Sequence, residues 1–354
     1  MRATAYRIPT DRPEADGTYA WDATTLVVAE LSAGGETGLG YTYADATNAA
    51  LIAGPLAEVL EGMDAFDVRA CVRAMRVRVR NLGRAGLAAT AIAALDAALW
   101  DVKAKLLGLP LARLLGQARA AVPIYGSGGF TTYDDATLRT QLAGWVEEDG
   151  CRWVKMKIGT YPGRDPARAA AARAAIGPAE LFVDANGALS VRQTLAMAER
   201  LSDVGVTWFE EPVSSDDRAG LRRLRDRMPA AIDLAAGEYV YDLDDARHLL
   251  EDGAVDVLQC DASRAGITGF LDVAALAEAF HVDLSGHCAP ALHLHAACAV
   301  PELRHLEWFY DHVRIERMLF EGAPVPRAGR IAPDLSRPGL GLGFKRKDAE
   351  AYAC

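Results

Sequence analysis

The chain has no apolar run near the roughly 18 residues that a membrane-spanning helix needs, no Cys-x-x-Cys pair and no low-complexity tract. These absences argue against a membrane span, a thiol metal knuckle or redox motif, and a disordered linker. Positive charge is also short: Lys+Arg 38 stand against Asp+Glu 48, a formal charge of -10. That balance disfavours a nucleic-acid partner, while leaving room for a small anion held by a few local cations. The six cysteines, Cys71, Cys151, Cys260, Cys288, Cys298 and Cys354, are dispersed, as expected of free thiols in a reducing compartment. The first residues, MRATAYRIPT, alternate like a strand and lack the apolar stretch of a secretory signal, so a cytoplasmic location is expected.

What is present is a hydrophobic fraction of 51% in 354 residues, enough for two ordinary domains or for one barrel with an added piece. Three zones are distinguishable. Residues 1–120 open with strand-like runs, TTLVVAELSAGG and TGLGYTYAD, then turn helical and end in an alanine-rich run closed by Gly108 and Pro110. This zone reads as an α+β cap. Residues 121–313 repeat short apolar runs, each followed by a helix-like segment: VPIYGS, WVKMKIG, LFVDAN, TWFEEP, IDLAAGE, VDVLQCD, VDLSGH and HLEWF. Eight such runs predict an α/β fold with a parallel βα barrel, because strands covered on both faces are continuously apolar. One helix start is signed by Asp165 as N-cap with Pro166 in the first turn. Residues 314–354, rich in Pro and Gly, are expected to return to the cap.

The chemistry lies in what ends each run. Lys157, Asp184, Glu210, Glu238, Asp261, His287 and Glu307 follow one another at intervals of 27, 26, 28, 23, 26 and 20 residues, one βα unit each. The carboxyl ends of barrel strands are where active sites are built. Asp184, Glu210 and Glu238 on successive strands form an all-oxygen set suited to Mg²⁺. Any one of these acids alone is more often a helix N-cap, and the case rests on the three together. Glu211 points the other way by strand alternation and is expected to be a buried salt-bridge partner. Lys155 and Lys157, two apart, share the barrel-facing side, and mutual repulsion near a dication would lower a pKa and make Lys157 a base. The alternative is an ordinary pair of lysines reaching to solvent. Asp261 beside His287 offers a second acid/base, against the common case of a structural histidine. His293 and His295, beyond their strand and without a matching third ligand, are read as structural or supporting.

These motifs, VKMKIG, VDANG, FEEP, AAGE, LQCDASRAGITG and SGHCAPALH, resemble in order and spacing the mandelate racemase group of the enolase superfamily, with LDAALWDVKAKLLGLPLARLLG similar to the helical end of its cap. The resemblance covers the whole chain. It implies a modified (β/α)₇β barrel with an α+β capping domain, Mg²⁺ on Asp184, Glu210 and Glu238, and Lys157 as the base that removes a proton α to a carboxylate. Lys155 would hold that carboxylate, His287 with Asp261 would act from the opposite face, and Glu307, protonated, would hydrogen-bond the enediolate. Asn186 would stand beside the metal, with Ser127 and Glu211 near the substrate. It also implies a small carboxylate substrate and a homo-oligomer. Position 261 lacks the sixth-strand lysine of the muconate lactonising and dipeptide epimerase branches, and Ala265 stands where relatives commonly have a second glycine.

The expected activity is dehydration of a sugar acid to a 2-keto acid, with racemisation, epimerisation or cycloisomerisation as the alternative. Two other classes compete. A non-catalytic barrel would hold metal or carboxylate only structurally. A hydrolase using metal-activated water would need histidines at the end of the first barrel strand, where YGSGG offers only Ser127.

Overall fold

The computed structural model describes residues 1–354. The first three strands, β1 (Arg2–Ala15), β2 (Ala20–Ala33) and β3 (Glu36–Tyr43), form an antiparallel meander. The alanine-rich helix Leu87–Leu106 lies flat on this sheet. Close approach explains its composition and that of β3: a Cβ on Gly38 or Gly40 would stand 2.0 Å from the carbonyl oxygen of Ala98 or Ala94. The helix also carries two buried acids that fasten it to the rest of the chain. Asp96 accepts from the Thr268 N–H at 2.9 Å, and Asp101 from the N–H groups of Leu39 and Leu340, each at 2.7 Å.

The eight expected apolar runs are eight strands: β4 (Val122–Gly128), β5 (Trp153–Lys157), β6 (Glu180–Asp184), β7 (Val206–Glu210), β8 (Asp233–Ala236), β9 (Val257–Cys260), β10 (Asp283–Gly286) and β11 (Leu303–Phe309). All pair in parallel with their neighbours, and β11 closes on β4 with Glu307 opposite Tyr125 and Phe309 opposite Ser127. A ninth, short strand, Arg330–Ile331, adds antiparallel to β4. A helix follows each barrel strand, and one main core of 73 buried residues packs the strands against them.

The helix expected from Asp165 does run Asp165–Ala175, but its N-cap is Arg164. Asp165 is buried one position further in and accepts from the Gly159 N–H at 2.8 Å, with Arg168 3.8 Å away, so it braces the preceding loop. The C-terminal segment touches both parts of the molecule: Phe320–Glu321 pairs with Gly343–Phe344, Gly339 bridges to Pro110, and the Cys354 N–H donates to the Ala5 carbonyl. No helix is long and apolar enough to cross a membrane.

The hairpin joining β1 to β2 reaches over the carboxyl ends of the barrel strands. Gly17 is pressed onto them: a Cβ there would meet the Ala185 carbonyl oxygen at 2.2 Å. Thr18 donates to the Asn186 carbonyl at 3.2 Å, and Thr160 to the Asp16 carbonyl at 2.6 Å.

Candidate active site

The sequence-marked residues converge on that covered end. Ser127, Lys155, Lys157, Asp184, Glu210, Glu211, Glu238, Asp261, His287 and Glu307 are all buried, and Asn186 is half-buried. Alternation explains the convergence. Residues two apart on a strand face the same way, so Lys155 and Lys157 both point into the barrel, as do Phe182 and Asp184, and Trp208 and Glu210. Backbone strain concentrates here too. Asn186, Glu211, Cys288 and Ala289, four of the six non-glycine residues with positive φ, follow immediately on barrel strands. Each such position costs roughly 1–3 kcal/mol and persists where surrounding contacts enforce it.

Lys155 lies at the centre of one set of contacts. Its Nζ is 2.6 Å from Glu210 Oε1, 2.8 Å from Glu307 Oε1 and 3.6 Å from Asp184 Oδ2. Lys157 Nζ lies 2.5 Å from Asp184 Oδ2. Burial disfavours both ammonium groups, yet Glu210 and Glu307 around Lys155, and Asp184 beside Lys157, hold both above the ordinary lysine value. The expected mutual lowering of the two lysines belongs to a site that holds a dication; among the residues themselves, the short carboxylate contacts outweigh the repulsion. Negative charge is in excess: burial and then Asp184 push Glu210 up to about 8, even against Lys155.

Glu238 begins a second set. Its Oε2 is 3.6 Å from His287 Nε2 and accepts from Asn186 Nδ2 at 3.5 Å. Arg264 donates to the Glu238 carbonyl at 2.7 Å and reaches its carboxylate at 3.5 Å. His287 Nδ1 lies 3.0 Å from Asp261 Oδ2, while Asp261 Oδ1 accepts from the Ser263 N–H. Burial opposes the imidazolium, but Glu238, Glu307 and Asp261 raise His287 above its ordinary value.

Glu307 is the acid that the resemblance casts as a hydrogen-bond donor to the enediolate. Its oxygens accept from Ser127 Oγ at 2.6 Å and the Cys288 N–H at 2.8 Å, with Lys155 at 2.8 Å. Despite burial, Lys155 and then His287 hold it well below the usual carboxylate range.

Glu211 departs from its expected role. It forms no salt bridge: β7 ends at Glu210, φ of Glu211 is +35°, and strand alternation does not carry past that turn. One of its oxygens is buried without a partner, and burial together with Glu238 raises it well above the carboxylate range. His293 and His295 do serve the backbone. His293 accepts from the Ala262 N–H at 2.7 Å and His295 from the Ala112 N–H at 3.0 Å. Ala265 is not at a left-handed position, since φ of +80° falls on Gly266.

Several contributors had no sequence signal. Trp208 Nε1 donates to Glu210 at 3.0 Å, and Cys288 Sγ lies 3.4 Å from His287 Nε2. Cys288 also packs with Phe130, Tyr133 and Phe309, and Trp21 of the hairpin meets Phe130 edge-on. Each depends on folding, not on a motif; only the WFE alternation, which places Trp208 and Glu210 on one face, could have announced one of them.

The donor set suits a hard divalent cation. Asp184, Glu210 and Glu238 supply only carboxylate oxygen, ligand atoms of Glu210, Glu238 and His287 lie within 4.8 Å of one another, and an unpartnered buried oxygen of Asn186 stands alongside.

The sequence matches the family model for the mandelate racemase / muconate lactonizing enzyme N-terminal domain over residues 5–116 and that for the enolase C-terminal domain-like region over residues 137–349. The chain belongs to this family, within the enolase superfamily. Its structure is similar to a mandelate racemase/muconate lactonizing enzyme-like protein from Rubrobacter xylanophilus, with TM-score 0.97 and 49% identity over 100% of this chain and 98% of that one. It also resembles L-talarate dehydratase from Polaromonas sp. JS666 complexed with Mg and L-glucarate, with TM-score 0.89 and 31% identity over 100% and 96%. A curated relative, 3,6-anhydro-alpha-L-galactonate cycloisomerase of Streptomyces coelicolor, is 33% identical over 98% of this chain and 97% of its own length. Lyase or isomerase activity fits this company.

Proposed function

We propose that the protein is a Mg²⁺-dependent sugar-acid dehydratase acting through abstraction of the α-proton. One observation carries the reading: two lysines and a His–Asp pair face a buried all-oxygen cluster within one ring of strand ends. Asp184, Glu210 and Glu238 would hold the metal. Bound there, Mg²⁺ supplies positive charge against the dianion that forms when the α-proton of a carboxylate leaves. Were the three acids engaged in holding a cation, Lys157 would lose part of the Asp184 charge that keeps it protonated.

Lys157 takes the α-proton, and the electron pair moves into the carboxylate as an enediolate. Lys155 donates to a carboxylate oxygen, held in place by Glu307. His287, as imidazolium oriented by Asp261, gives its proton to the departing β-hydroxyl, which leaves as water. The enol then tautomerises to a 2-keto acid. Returning a proton from His287 to the α-carbon would instead invert that centre, and this first step also serves a cycloisomerase. The dehydratase fold-mate with a bound sugar acid favours loss of water. A cytoplasmic location goes with the reading, supported by six free cysteines. So does a small carboxylate partner, with neither nucleic acid nor membrane, in a homo-oligomer.

The test is incubation with Mg²⁺ and a panel of aldonic and aldaric acids in D₂O. A 2-keto acid establishes dehydration, and α-deuterium without keto acid replaces it by racemisation or epimerisation. Neither product from any acid, with metal present, overturns the assignment.

A further inference from the structure

We infer that the seam between cap and barrel carries a second site, away from the carboxylate cluster, for a small molecule bearing a phosphate-type group. The helix Val68–Arg78 and the turn after it bring six arginines into residues 69–84. They fall into two classes. Arg69 pairs with Asp272 at 2.7 Å and Arg78 with Glu58 at 3.5 Å. Arg73, Arg76, Arg80 and Arg84 are exposed and make no ion pair and no side-chain hydrogen bond, although the charge of Arg76 acts on the buried Asp96, and these four line a cavity of about 480 Å³.

The opposite wall offers two carboxylates against four guanidinium groups, and neither pairs with them. It consists of Tyr241–Asp244 with Arg264 and Ala265. Asp242 is occupied as a helix N-cap, accepting from the Asp244 and Asp245 N–H groups, and Asp244 faces Arg247 at 3.4 Å. Arg264 is turned towards Glu238 and Asp261. A solvated basic face is the plain alternative, but it does not explain why one helix pairs the arginines outside the cavity and leaves those inside it free. In a chain with ten more acids than bases, partners for four more arginines are plentiful.

The arrangement selects for ligand charge and shape. A carboxylate engages one guanidinium fork, whereas a phosphate group presents several oxygens and up to two charges and can meet two or three forks together. The volume lies within the roughly 300–1,000 Å³ of small-molecule sites.

Titration calorimetry on the metal-free protein at low salt tests this, with pyrophosphate as probe and tartrate as a dicarboxylate control. One saturable site for pyrophosphate is expected, weakened about tenfold or more by Arg76→Ala/Arg80→Ala and unchanged by Arg69→Ala/Arg78→Ala, which removes the same charge. Circular dichroism checks that both double variants fold. Absence of saturable binding, or equal weakening in both variants, overturns the site. Tartrate binding as tight as pyrophosphate and equally weakened by Arg76→Ala/Arg80→Ala overturns the phosphate assignment. Light scattering that shows a changed oligomeric state only in the cavity variant assigns the arginines to a second copy of the chain and also overturns it.

Discussion

Two layers of the barrel interior sit two residues apart on the same strands and are built on opposite principles. The lower holds Tyr125, Trp153, Phe182, Trp208 and His305, and the upper holds Ser127, Lys155, Asp184, Glu210 and Glu307. In the lower layer the rings surround an imidazole: the His305 ring is 4.7 Å from that of Tyr125, 5.4 Å from Trp153, 5.5 Å from Trp208 and 5.7 Å from Phe182. Burial keeps His305 neutral, far below its ordinary value, and Ser285 Oγ at 2.9 Å is its polar contact. In the upper layer each buried carboxylate has a lysine, a hydroxyl or an N–H within reach, and Glu210 is nonetheless pushed up to about 8. The same degree of burial yields a neutral platform where rings are the neighbours and a hydrogen-bonded cluster of acids and lysines where donors are. Packing of the rings favours stability, whereas burying the cluster costs desolvation.

The comparison can be broken from either side. The largest effect is expected from Lys157→Ala in the upper layer, which should lower turnover by about 10²–10⁴-fold while leaving the circular dichroism spectrum intact. Turnover within about twofold of wild type would remove Lys157 from the chemistry. Phe182→Ala in the lower layer should do the reverse, destabilising by about 3–5 kcal/mol in urea unfolding with the residual folded protein still active. Trp208→Phe tests the link between layers: it keeps the stack on Phe182, 5.0 Å between rings, but deletes the 3.0 Å bond to Glu210. A loss of about 1 kcal/mol with a weakened apparent Mg²⁺ affinity is expected, and unchanged metal dependence would sever the layers.

The smallest effect concerns a buried acid outside both layers. Glu316 accepts from Tyr41 Oη at 2.6 Å and from the Ala291 N–H at 3.1 Å, and burial pushes it up to about 8 from 4.5. A raised folded-state value means that its contribution is complete below pH 4.5 and is lost as pH rises towards 8. Unfolding measured at pH 6 and pH 8 should therefore show a steeper loss in wild type than in Glu316→Gln. Equal slopes would show that this carboxyl does not titrate in that window.

Much of this is legible in the chain. Strands covered on both faces leave apolar runs, so all eight barrel strands can be placed, and the regular spacing of Lys157, Asp184, Glu210, Glu238, Asp261, His287 and Glu307 puts each at a strand end. What stays hidden is what neighbours do to one another. Glu211 lies just past the end of its strand, where alternation stops. Asp165 looks like a cap because Pro166 follows it, yet tertiary packing claims its carboxylate for Gly159. The lysines and the acids are each visible in the chain, but which acid meets which lysine, Glu210 and Glu307 against Lys155 and Asp184 against Lys157, is set only in three dimensions. Arg264, Trp208 and Cys288 touch the cluster only through folding.

The hydrogen bond from Ser127 to Glu307 joins residues 180 positions apart, across the line where the last barrel strand meets the first. Pairings of such long range are slow to form, because a great length of chain must be ordered before they are rewarded. Glu307 can hold Ser127 and position Lys155 only once that seam is shut. A refolding chain should therefore recover its spectroscopic helix and strand content before its turnover, with the lag between the two timing the closure of the barrel.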